Sequence, residues 1–185
     1  MKKSSPVMIW LRIAAVAVII LLFMATTSCK KDNNDNVEQT EDPIERYSSI
    51  LPAQTIQELK DAKAATQRYR VLDSAKADGY SDINVVVQNM GFHYMKASLA
   101  DTIFDPKKPE LLVYNKNHDG KIELVAVEYA VPIPLMPNKE PQGFTGSADV
   151  WTYSTTFNLW LLHAWVWEYN PYGIFVPNNP NVHLH

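Results

Sequence analysis

Three residues of this 185-residue chain are of the types that share one metal chemistry: His93, Glu128 and His163. Glu128 lies in a run where Ile122, Leu124, Ala126 and Glu128 alternate with Glu123, Val125, Val127 and Tyr129. In an extended chain it shares a face with three apolar residues, and buried carboxylates are rare unless paired or metal-bound. His163 sits beside Leu161 and Trp165 in a strand, or with Leu159, Trp160, Val166 and Trp167 in a helix; either way its two ring nitrogens face apolar company. Two imidazoles and one carboxylate with open coordination positions suit zinc, or iron in a facial triad. Tyr94 and Tyr129, each next to one of these residues, are candidate supporting donors. Intervals of 35 residues carry no information about proximity, and H-E-x-x-H and paired C-x-x-C motifs are absent. The plainer reading makes all three satisfied core residues, Glu128 bonded to a tyrosine or histidine and His163 to backbone.

Other chemistries lack their marks. There is no G-x-S-x-G, no phosphate loop and no dinucleotide fingerprint. Asp101, Asp105 and Glu110 are acids of the kind that hydrolyse glycosides, but Pro106, Lys107, Lys108 and Pro109 between them read as a solvated loop. Asn115, Asn117, Asp119 and Gly120 imitate the start of a calcium loop. The twelfth position, which should be glutamate, is Ala126, so an Asp-Gly turn between strands is the better reading. His118 is a loop residue, and His183 and His185 lie at a terminus and are assigned no role.

The elements that must position His93, Glu128 and His163 follow from periodicity. Ile56, Leu59, Ala62, Tyr69, Leu72 and Ala75 recur at helical spacing behind a Thr55-to-Glu58 capping pattern, which predicts a long helix ending at Ala77 to Gly79, with a break near Arg70. Then come β-like runs at Ile83 to Val87, Phe92 to Met95, Leu111 to Tyr114 and Ile122 to Val131. From Glu140 onward there is no Lys or Arg, yet ten of the twenty aromatics fall there. Thr155 to Tyr169 reads as a helix capped by Ser154 or Thr155, with a long central strand as the alternative. The fold class expected is α+β: a long N-terminal helix packed on a mainly antiparallel sheet, with an aromatic-rich C-terminal helix or strand.

The N-terminus gives an address. Lys2, Lys3 and Arg12 precede thirteen uncharged residues, Ile13 to Ala25, too few for a membrane span of roughly 20 residues but within the range of a signal-peptide core. Thr26-Thr27-Ser28-Cys29 follows, and Cys29 is the only cysteine. The segment resembles the lipobox of bacterial lipoproteins, which implies cleavage before Cys29, a diacylglyceryl thioether on its sulfur, palmitate-type acylation and a membrane anchor. The expected organisation is a signal peptide over 1–28, a flexible acidic tether over 29–46 and one globular domain over 47–185. Without the leader's three cations, 14 Lys and Arg face 20 Asp and Glu, a net charge of −6. That excludes nucleic acid as a partner on electrostatic grounds.

A second resemblance covers about Ala64 to Val182. Gly91-Phe92-His93-Tyr94, Pro109-Glu110-Leu111, Glu128-Tyr129, His163-Ala164-Trp165-Val166-Trp167, Asn170-Pro171, Gly173, Phe175 and Asn179-Pro180, in that order, resemble a family of uncharacterised bacterial secreted proteins. The resemblance implies no particular activity. Its members often carry a cysteine before G-x-H-Y and another after the last N-P; here Val86 or Val87 and His183 stand in those regions, so that disulfide is lost.

The functional expectation is a lipid-anchored cell-envelope protein, its domain outside the cytoplasm, binding zinc or iron through His93, Glu128 and His163. The alternative is a non-catalytic module that binds a glycan or small molecule through the aromatic C-terminal region.

Overall fold

The computed structural model describes residues 41–117 and 119–184; the leader, Cys29, most of the tether, His118 and His185 lie outside the described residues. A 3-10 turn at Glu45–Tyr47 leads into helix α1 (Ala53–Thr66), a second 3-10 turn (Gln67–Arg70) and helix α2 (Leu72–Ala77). Six strands follow: β1 (Ser81–Val87), β2 (Gly91–Met95), β3 (Leu111–Lys116), β4 (Ile122–Pro132), β5 (Thr152–Ser154) and β6 (Leu159–Ala164). They form one antiparallel sheet in the order β1-β2-β3-β4-β6-β5. No helix among the described residues is long and apolar enough to cross a membrane.

The long helix expected from the sequence is two shorter pieces, divided at the break expected near Arg70. The Thr66 hydroxyl bonds back to the Ala62 carbonyl at 2.8 Å, the chain tightens into the 3-10 turn, and Val71 is extended at φ −97°, ψ 106°. Gly79, at φ +98°, then ends α2 while the Tyr80 N–H reaches back to the Ala75 carbonyl at 3.0 Å, a glycine-terminated helix end as predicted. The capping pattern serves another purpose. Pro52 occupies the cap position, and the Thr55 hydroxyl instead donates to the Thr145 carbonyl. The Glu58 carboxylate accepts the Thr145 N–H at 2.8 Å and its hydroxyl at 2.6 Å, pinning a distant loop to the helix.

The four predicted β-runs form strands, and the Asn117–Gly120 turn closes the β3–β4 hairpin, with Gly120 at φ +77°. Between Thr155 and Tyr169 the expected helix is replaced by strand β6. It is an inner strand, paired with β4 on one side and β5 on the other, and Asn158 at φ 57° turns the chain into it. An apolar run buried on both faces carries no period that separates helix from strand, so tertiary pairing decided it.

One face of the sheet packs under the helices and the C-terminal wrap. Leu59, Leu112, Tyr114, Val127 and Tyr129 are core there, and the Tyr114 hydroxyl donates to the Tyr69 carbonyl at 2.8 Å. Beyond β6, buried Asn170 and Asn179 hold the wrap. Asn170 donates to the Val176 and Asn178 carbonyls, both at 3.0 Å, and Asn179 to the Tyr169 carbonyl at 3.1 Å. Each thereby satisfies backbone acceptors that irregular buried chain would otherwise leave unpaired.

The sheet is strongly curled. His93 on β2 and His163 on β6 stand three strands apart, which in a flat sheet at ~4.8 Å per strand is roughly 14 Å. Their ring centroids are 6.2 Å apart. Two irregularities bend the ladder: the register of β1 on β2 shifts between Asp82 and Val86, and that of β3 on β4 shifts between Val113 and Tyr114. Such bulges increase local twist and re-aim the strand.

Candidate metal centre

On the other face, the concave one, the three residues read from the sequence converge. His163 is the direct cross-strand partner of Glu128, and side chains at such positions meet. His163 Nδ1 lies 3.2 Å from Glu128 Oε1, and His93 Nε2 lies 3.8 Å from Glu128 Oε2. One ligand atom from each residue falls within 4.8 Å of the other two, and this is the one such cluster among the described residues. His93 is 4 % exposed, and Glu128 and His163 are each 2 % exposed. Ligands around a common zinc at ~2.0 to 2.2 Å stand roughly 3 to 3.5 Å apart. The His163–Glu128 distance is in that range, the His93 distance to the other Glu128 oxygen exceeds it by a few tenths of an ångström, and the set as a whole spans up to 4.8 Å, so the side chains must draw together around a common ion.

The rings are held from behind. His93 Nδ1 lies 3.1 Å from the Val85 carbonyl, which accepts its N–H and so leaves Nε2 with a lone pair toward Glu128. That carbonyl is aimed by the β1 bulge, where Asn84 adopts φ 57° and its N–H donates to Asp82 Oδ1 at 2.7 Å. His163 lies nearly parallel to the Trp165 ring, 21° between planes and 6.1 Å between centroids. His163 Nε2 is buried with no hydrogen-bond partner among the described residues.

Burial sets the charge. It pushes the Glu128 carboxyl up and His163 well down, the latter helped by neighbouring His93. It also pushes His93 down, partly offset by hydrogen bonds to the Val85 and Gly91 backbone. Near neutral pH, the protein alone therefore holds a carboxylic acid between two neutral imidazoles. A divalent cation among these atoms reverses the preference of the carboxyl, since an adjacent positive charge favours its ionised form. The donor set, in an apolar shell, fits such an ion.

Beside the centre lies a cavity of about 400 Å³, its mouth included. Ile83, Val85 and Val87 of β1 line it together with Leu159 and Leu161 of β6, while Phe157 and Ile83 are exposed at the rim. Val85, Trp165 and this cavity were not legible as parts of the site. The only available hint was Asp82-Ile83-Asn84, an Asx pattern inside a strand-like run that marks a bulge.

The supporting roles expected for Tyr94 and Tyr129 are corrected by strand alternation. Each directly follows a ligand candidate, so each points to the opposite face. The Tyr129 hydroxyl donates to the Pro106 carbonyl at 2.9 Å, and Tyr94 packs edge-on to Tyr114. The solvated-loop expectation for Glu110 is also corrected. It is buried, and its carboxylate accepts the Ala130 N–H at 3.0 Å where β4 runs past the end of β3. Burial raises its pKa to about 7. Asp101 and Asp105 are tied into turns with the backbone N–H groups of Ile103 and Lys107. The calcium-like loop is a turn closed by Asn117 Oδ1, which accepts the N–H groups of Asp119 and Lys121. Of the C-terminal tryptophans, Trp151 and Trp165 are buried.

Comparison with known proteins adds no name. No protein-family model, curated protein or solved structure matches the chain.

Proposed function

We propose that this protein binds one divalent transition-metal ion, zinc or ferrous iron, through His93, Glu128 and His163, and that it does so as a lipid-anchored protein of the bacterial cell envelope. The observation that carries the metal reading is the convergence of three ligand-type atoms, from three different strands, within 4.8 Å of one another on an otherwise apolar face. The prearranged His93 tautomer supports it further. A core pair that only satisfied itself would need two groups and not three. Three protein ligands leave coordination positions for water or a ligand, which is the pattern of reactive centres rather than closed structural ones. The anchor rests on Cys29 and the leader before it, outside the described residues. A sugar-stacking reading has less support, because Trp151 and Trp165 are buried and Trp160 and Trp167 are partly buried, with their indole N–H groups donating to Met136 O and Thr66 Oγ1.

Metal content measured on protein purified without a histidine tag tests the metal reading. One equivalent bound by the wild type and lost in His163→Ala, with circular dichroism unchanged, is the expected result. Ions held adventitiously by His183 or His185 would survive that substitution, and such survival counts against the centre. Mass spectrometry of Cys29 tests the anchor separately: an unmodified thiol on the mature chain removes that half of the reading.

A further inference from the structure

Resting on the metal reading, we infer that the cavity beside the centre is its ligand site, and that the ligand is a small apolar molecule, about one ring in size, which reaches the centre with a single oxygen or nitrogen donor. The walls carry the inference. Apart from His93 and Glu128 the cavity is lined by aliphatic side chains, Met90 and Phe157. A molecule inside it therefore has polar partners at one end only. A sugar or other polyol would bury hydroxyl groups against Val85, Val87 and Leu161 at roughly 1 to 3 kcal/mol for each one left unpaired. An apolar body with one donor atom leaves nothing unpaired.

Size and access agree. The enclosed part is about 70 Å³, less than the ~150 Å³ that encloses benzene, so a ring bound here extends into the open mouth, which brings the empty space to about 400 Å³. Exposure falls from 37 % at Ile83 and 46 % at Phe157 on the rim to 4 % or less at His93 and Glu128 at the base. The opening thus runs from solvent toward the ligand atoms, between edge strand β1 and the turn before β6. A cavity that only reflected loose core packing would be closed at both ends and would have no reason to end on the buried ionisable residues.

Two titrations of the intact domain test this. Toluene added to metal-free protein is expected to give intermolecular NMR contacts with Ile83 and Leu161 methyl groups, and to lose the Leu161 contacts in Ile83→Trp, which fills the mouth on an edge strand. 4-Phenylimidazole added to cobalt-loaded protein is expected to shift the visible cobalt bands and to bind about tenfold or more tightly than imidazole, because the phenyl ring adds buried apolar area. Failure of a folded wild-type domain to bind toluene overturns the inference whether or not a metal binds. Failure to load cobalt overturns the metal reading, and the toluene arm still decides the cavity. Cobalt loading with equal affinities for the two imidazoles overturns the inference and leaves the centre standing.

Discussion

Glu128 in the metal-free protein is held as a carboxylic acid by burial, between imidazoles that burial holds neutral. A divalent ion entering this site has to displace one proton, that of Glu128, and none from the histidines. Affinity should therefore rise about tenfold per pH unit from ~6.5 upward and level off once the raised pKa of Glu128 is passed. Calorimetry in two buffers of different ionisation enthalpy measures the same proton directly, and a value of zero at pH 7 would contradict the assignment. Glu128→Gln keeps the volume and removes the charge. It should abolish binding while leaving the metal-free fold at least as stable at pH 8, because by then the unfolded wild-type chain has long released the proton that the buried acid holds. Much of this was readable in the sequence, since an acid on an apolar strand face and a histidine among tryptophans are costly unless something binds them. The tyrosines beside them misled because adjacency in sequence places strand residues on opposite faces.

The strands make the centre by curling, and the bulge in β1 ties that curl to the ligands. Asn84 holds φ 57°, a conformation that costs a β-branched residue on the order of 1 to 2 kcal/mol and costs glycine little. Asn84→Val should lower stability by about that amount and weaken metal binding, because the Val85 carbonyl would no longer fix the His93 ring. Asn84→Gly should keep both near wild type, and thermal melts with a cobalt titration read the pair. Equal metal affinity in all three proteins would detach the bulge from the site. The period-two runs made β1 to β4 legible, and Gly79 marked the end of the helical segment. Strand β6 was legible only as the alternative to a helix, since an inner strand is apolar on both sides; the break near Arg70 was read, but the extended backbone at Val71 has no sequence mark as strong as glycine or proline. No local pattern encodes the closure of β2 onto β6, which depends on the accumulated twist of four strands.

Over the whole molecule, stability depends on a second buried acid and on the C-terminal wrap. Burial raises the Glu110 pKa from 4.5 to about 7. The folded state thus holds a proton that the unfolded chain releases, so the contribution is fully present below ~4.5 and is lost as pH rises through about 7. That loss is on the order of 3 kcal/mol. Compared with Glu110→Gln in denaturant titrations from pH 4.5 to 8, the wild type should lose stability by that order more than the variant. A pH-independent difference would show that Glu110 ionises as readily folded as unfolded. In the wrap, Asn170→Ala strips hydrogen bonds from the Val176 and Asn178 carbonyls and should cost roughly 2 to 4 kcal/mol, read as a lowered melting temperature. The wrap also carries Val176, whose carbonyl accepts the Trp165 indole N–H at 2.7 Å, so this variant should loosen the ring stacked on His163 as well. The most direct measurement is anomalous X-ray diffraction from crystals grown with zinc or cobalt. The account predicts one strong peak bounded by His93, Glu128 and His163 at ~2.0 to 2.2 Å from each ligand atom; density showing the three side chains bonded only to each other, with no peak between them at saturating metal, would contradict it.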